Sequence, residues 1–146
     1  MSQPISPSSQ VRVTIPNLPG ELARVTAIVR KAKANILGMM TESLGDISHV
    51  RILVDRSGGL GELLEHAGYP VVEAPVYSVR VPNRPGQIDD LARKLAEEQI
   101  NILCIYGTAE GATARFVLAV DPVEKAGHLI AKWQRRVSGR KQEKEE

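Results

Sequence analysis

Pro16-Asn17-Leu18-Pro19-Gly20 and Pro82-Asn83-Arg84-Pro85-Gly86 are one short phrase written twice, with Asn83 lying 66 residues after Asn17. The same offset carries Asn35-Ile36-Leu37 onto Asn101-Ile102-Leu103, Gly45 onto Gly111, and Val54-Asp55 onto Val120-Asp121, with no gap between landmarks. A fixed period of this kind governs the architecture of a chain before any other signal does. The 146 residues therefore read as two copies of one unit, residues 10–75 and 76–137, between a flexible leader (1–9) and a charged tail (138–146).

Both copies share one order of elements. Val11, Val13 and Ile15 alternate with Arg12 and Thr14, and Tyr77, Val79 and Val81 alternate with Ser78 and Arg80, which is the period of a half-buried strand. After each Pro-Gly loop, apolar residues recur at helical spacing: Leu22, Val25, Ile28 and Ala32, then Ile88, Leu91, Ala92 and Leu95. Two apolar runs parted by Gly45 or Gly111 predict a hairpin, Ile36 to Met40 with Val50 to Val54 and Ile102 to Tyr106 with Phe116 to Val120. Leu60 to Ala67 predicts a second helix stopped by Gly68, and Val71 to Ala74 a fourth strand.

Strand, helix, strand, strand, helix, strand is the split pattern of the ferredoxin-like α+β fold, with antiparallel sheets and helices on one face. In the second copy Val123, Ala126, Leu129, Ile130 and Trp133 supply the second helix, but no fourth strand is visible beyond Trp133. Val117, Ala119 and the run Ile102-Leu103-Cys104-Ile105 put apolar side chains of both parities where helices on one face cannot cover them. A second sheet or a partner chain is expected there, and with it a homodimer.

Composition bounds the function. Lys and Arg number 19 against 17 Asp and Glu, a net charge of +2, with 42% hydrophobic and 25% charged residues, the balance of a chain that buries a core. One cysteine, Cys104, excludes an internal disulfide framework and a multi-cysteine metal site, and favours a reducing, cytoplasmic setting. The first ten residues lack the pattern of a secretory signal, and no apolar run approaches the roughly 20 residues of a membrane span.

The two loops carry the candidate chemistry. Glycine where a strand passes into a helix lets a ligand reach the backbone, and the free N–H groups of the first helical turn attract a carboxylate or phosphate. Asn17 and Asn83 can donate and accept, as recognition of a zwitterion requires. Asn35 and Asn101, before the next strand, could reach the same ligand from an adjacent unit. The copies differ in charge: Glu21 in the first helical turn corresponds to Gln87 in the second copy, and Arg84 replaces Leu18. A carboxylate there competes with a carboxylate ligand and an Arg pairs with it, so the second copy is expected to bind and the first to support structure.

Asn-x-Pro-Gly, an apolar helix, then Asn-Ile before a strand resembles the ACT domain, the small amino-acid-sensing module attached to biosynthetic enzymes such as phosphoglycerate dehydrogenase and aspartokinase. The match covers nearly the whole chain apart from leader and tail and is closer in the second copy. The resemblance implies a stand-alone pair of ACT repeats, ligand sites between ACT units, and regulation without catalysis or cofactor. It assigns ligand contacts to Asn83, Pro85, Gly86 and Asn101, with Asn17, Pro19, Gly20 and Asn35 as first-copy equivalents; the charge comparison adds Arg84. The implied partners are a free amino acid, a second copy of the chain and a regulated enzyme.

Little else in the sequence argues for chemistry. His49, His66 and His128 are dispersed without metal-ligand spacing, and no nucleophile motif is present. Cys104 and Met39-Met40 read as core, Trp133 as the anchor of the last helix, and Asp89-Asp90 and Glu97-Glu98 as solvated faces. An RNA-binding or scaffold role of the same fold is the alternative, but base stacking needs sheet aromatics, and these make up 3% of the chain.

Overall fold

The structure is a computed structural model that describes residues 7–56 and 58–145, with side chains as far as residue 139. The chain divides into two compact units, one of Ser9–Pro75 and one that includes everything from Val76 onward. The first holds β1 (Ser8–Pro16), α1 (Glu21–Lys31), β2 (Ile36–Leu44), β3 (Ile47–Val54) and α2 (Leu60–His66). The second holds α3 (Gln87–Glu97), β5 (Asn101–Glu110), β6 (Thr113–Asp121) and α4 (Val123–Glu145).

Between them β4 (Val71–Pro82) is a single strand. Its leading residues complete the first unit in the order β2-β3-β1-β4, and its later residues open the second in the order β4-β6-β5. The sequence separated these stretches at Pro75; the structure runs the backbone through it, since an exposed proline costs a strand only one N–H.

The alternation of β1 sets the first core. Val11, Val13 and Ile15 face Ile52, Val50 and Ser48 across the antiparallel β1–β3 ladder. These residues pack with Val25 and Val29 of α1 and with Leu60 and Leu64 of α2. The second core repeats the scheme: Tyr77, Val79 and Val81 stand opposite Leu118, Phe116 and Ala114, under Leu91 and Leu95 of α3 and Ala126, Ile130 and Trp133 of α4. Each fully buried side chain of this kind contributes about 1.5–3 kcal/mol through removal from water.

Duplication extends to the backbone. Gly20 and Gly86 have φ of 89° and 90°, Gly45 and Gly111 64° and 61°, and Lys33 and Gln99 57° and 59°. Lys33 and Gln99 take the left-handed position that ends α1 and α3. Their N–H groups bond to Arg30 O and Ala96 O, and those of Ala34 and Ile100 to Val29 O and Leu95 O. Gly68 ends α2 in the same way, through its own bond to Glu65 O and that of Tyr69 to Leu64 O.

Both hairpins carry a bulge at the same place, between Ile36 and Gly38 and between Ile102 and Cys104. The bulge explains the apolar run of both parities. Ile102 packs on the helix side and Leu103, the extra residue, stands 61% exposed, so the run is one strand whose facing slips by a residue.

After β6 the chain enters α4 through a cis Asp121-Pro122 bond and stays helical for 23 residues. Residues 138–145, read from sequence as a tail, continue the helix backbone, and no strand follows β6 among the described residues.

Candidate functional site

Each loop joins a strand end to a helix start and is tied down by its asparagine. Asn17 N–H donates to Asp46 O at 2.8 Å and its side-chain N–H to Gly45 O at 3.0 Å. Asn83 does the same, to Ala112 O at 2.9 Å and Gly111 O at 3.1 Å. In both repeats, then, the asparagine amide clamps the loop to the turn of the neighbouring hairpin. The carbonyl side differs. Asn17 Oδ1 accepts from Ser43 Oγ at 3.4 Å, whereas the position equivalent to Ser43 is Ala109, so nothing of that kind claims Asn83 Oδ1.

Gly20 and Gly86 cap α1 and α3 with no side-chain hydrogen bond, and no atom lies within 4 Å of where a Cβ would stand on either. In the first repeat the Glu21 N–H donates to Leu18 O at 3.3 Å, and the positive end of a helix dipole lies behind each loop.

What occupies that space separates the repeats. In the first, Glu21 is the opening residue of α1, with its side chain only 15% exposed. Its Oε2 accepts from Tyr69 Oη at 2.9 Å, its Oε1 pairs with Arg24 Nη1 at 3.3 Å, and the Arg24 guanidinium lies 5.8 Å from the Tyr69 ring centre. Burial, then the Glu21 bond, pushes the Tyr69 hydroxyl above its ordinary value. The first helix start already carries a carboxylate of its own.

The second repeat has Gln87 and Asp90 at the positions of Glu21 and Arg24. Here Arg84, Pro85, Gly86, Gln87 and Asp90, with Pro82 and Val137, line a cavity of about 290 Å³. Arg84 is exposed and Asp90 half-buried. Asp90 Oδ2 accepts from Trp133 Nε1 at 2.8 Å and from Lys94 Nζ at 2.9 Å, with Arg136 Nη2 at 3.4 Å. The Lys94 bond first, then that of Trp133, holds its carboxyl below the usual carboxylate range.

Arg84, Pro85 and Gly86 are thus brought together in one cavity, with Asn83 beside them in the same loop. Asn101 is not: it stands exposed beyond the far end of α3, which at 1.5 Å per residue is about 16 Å long. In the first repeat the corresponding Asn35 is spent on Asp55, its N–H and side-chain Nδ2 each donating at 2.8 Å to one carboxylate oxygen. The Asn35 backbone bond, then its side chain, lowers the Asp55 pKa. Pro19 and Gly20 lie in the loop that leads into Glu21, both exposed.

Sequence reading did not place Gln87, Asp90 and Val137 in the site. Asp90 looked like one acid of a solvated pair; the offset to Arg24, one turn inside the helix, was the available signal. Among the described residues no group of three His, Cys, Asp or Glu side chains is placed to hold a metal, and no helix is long and apolar enough to cross a membrane.

Two ferredoxin-like repeats, each with an uncapped glycine at a strand-to-helix loop, define a class of small paired modules. The sequence matches the ACT domain pair family over residues 7–141, and the chain belongs to that family.

Solved structures share the fold. Protein BT0572 from Bacteroides thetaiotaomicron matches with a TM-score of 0.79 at 20% identity, over 87% of this chain and 88% of that one. The ligand-free regulatory subunit of aspartate kinase from Thermus thermophilus matches with 0.69 at 15% identity, over 92% and 95%. Aspartokinase III of E. coli, in complex with lysine and aspartate, matches with 0.57 at 13% identity, over 91% of this chain and 32% of that one. Comparison with curated proteins gave no match.

Proposed function

We propose that the chain is a non-catalytic, cytoplasmic sensor that binds a free amino acid in the loop cavity of its second repeat and passes the binding on to a partner protein. The observation that carries this reading is a cavity at a helix start whose lining includes both Arg84 and Asp90. Arg84 and the first-turn amides are suited to an α-carboxylate, and Asp90 and Asn83 Oδ1 to an α-ammonium. At about 290 Å³ the cavity is near the small end of ligand sites, a size for a metabolite of a few heavy atoms. In the first repeat the helix start carries the Glu21 carboxylate, which disfavours an anionic ligand, so on this reading that repeat serves structure. A homodimer, with Asn101 of one copy reaching the loop of another, is the assembly proposed.

Amino acids bound to a relative, as lysine and aspartate are in aspartokinase III, support the ligand class without naming the ligand. A thermal-shift screen against the twenty amino acids tests the reading. A ligand at a hundred times its Kd contributes about 2.7 kcal/mol, a visible shift. The shift is expected to vanish in Arg84→Ala and persist in Leu18→Ala. A response from none of the twenty, or one lost equally in both variants, overturns it.

A further inference from the structure

A second concavity of about 480 Å³ lies between α3 and α4 of the second unit. Lys125, His128, Lys132 and Arg136, spaced three or four residues apart, form one face of α4 along it, and Lys94 faces them from α3. Some of this charge is answered. Lys125 lies 3.7 Å from Glu98 Oε2 and also donates to Glu98 O, while Lys94 and Arg136 converge on Asp90. Glu97 is a second acid on the α3 rim. His128 and Lys132 are exposed and directed at no acid within ion-pair reach among the described residues.

We propose that this groove is a binding site for a small phosphate-bearing anion, linked to the loop cavity through Asp90. Compact ammonium groups on two facing helices suit a compact, multiply charged anion better than a single carboxylate. The link is geometric. Asp90 forms part of the wall of the loop cavity, yet the three groups that hold it, Lys94, Trp133 and Arg136, all line the groove. An anion drawing Lys94 and Arg136 to itself takes partners from Asp90 and leaves that carboxylate free for a cation in the loop cavity. Such coupling is reciprocal. The anion site stands on its own geometry; only its coupling to the loop rests on the amino-acid reading above.

Trp133 is the single tryptophan of the chain, so its indole N–H gives one reporter signal next to Asp90. Titration of the full chain with pyrophosphate at constant ionic strength is expected to move that resonance saturably. Lys132→Ala combined with His128→Ala, both exposed positions, is expected to weaken the response at least tenfold, and Arg84→Ala, outside the groove, to retain it. A linear drift, a shift reproduced by chloride, or a response indifferent to the double substitution overturns the proposal. The readout requires no amino acid, so failure here is distinct from failure of the loop site. An amino-acid affinity that is the same with and without saturating pyrophosphate, while the pyrophosphate response stays intact, sinks only the coupling.

Discussion

Trp133 Nε1 donates to Asp90 Oδ2 at 2.8 Å, joining the buried tryptophan of α4 to the first turn of α3. The bond turns a helix-surface acid into a tie between two helices, and it places a fixed carboxylate at the wall of the loop cavity. Because Asp90 also meets Lys94 and Arg136, its neutral replacement touches three interactions at once.

Asp90→Ala is expected to destabilise the chain by about 1 kcal/mol. A hydrogen bond to a charged group is worth roughly 1.5–3 kcal/mol when shielded, and the half-exposed carboxylate reduces this by solvent screening. Urea unfolding at neutral pH checks it; an unchanged midpoint would show the tie to be incidental.

The pH dependence comes from the depressed Asp90 pKa. A carboxyl lowered in the folded state contributes stability that is fully present above the unfolded value of about 3.9 and is lost as pH falls through the folded one. Acid titration of the wild-type chain should therefore move the Trp133 signal only below about pH 4, and Asp90→Asn should remove that step. A transition near pH ~6 would implicate a histidine instead.

Gln99 and Lys33 sit at φ near +60°, where a side chain costs about 1–2 kcal/mol and glycine is free of that strain. After the extra chain entropy of glycine is subtracted, Gln99→Gly should stabilise by about 0.5 kcal/mol. Gly86→Ala, at φ 90°, should do the reverse. Thermal midpoints of the two variants, moving in opposite directions, check the pair.

In the first repeat Tyr69→Phe leaves Glu21 without its hydroxyl partner and is expected to cost about 1 kcal/mol. Ligand affinity should be untouched, since the proposed ligand cavity lies in the second repeat. Calorimetry with whichever amino acid the thermal screen identifies distinguishes the outcomes, and a tenfold loss of affinity would restore the first loop as a ligand site.

Much of the fold could be read from the chain because its signals are local. Alternation in Val11 to Ile15 and in Tyr77 to Val81, and the phrase Asn-x-Pro-Gly at a constant offset, need no knowledge of distant neighbours. The bulges at Leu37 and Leu103 were hidden, since an extra residue in a strand looks like an apolar run buried on both faces. Among the residues that line the loop cavity, Arg84, Pro85 and Gly86 stood out in the sequence for their charge and backbone freedom. The clamp roles of Asn17 and Asn83 were not, because their acceptors, Gly45 O and Gly111 O, lie 28 residues further along and are backbone atoms that carry no sequence signature. Asp90 was missed for a related reason: its meaning comes from Trp133 and Arg136, more than forty positions away.

The strand Val71–Pro82 gives its first five residues to one unit and its last seven to the other. A protease cut after Pro75 would leave five residues on one side and seven on the other, each an ordinary length for a strand. Each fragment keeps the antiparallel ladders of its own core and is expected to retain strand and helix signal when expressed separately, which circular dichroism of the two fragments checks.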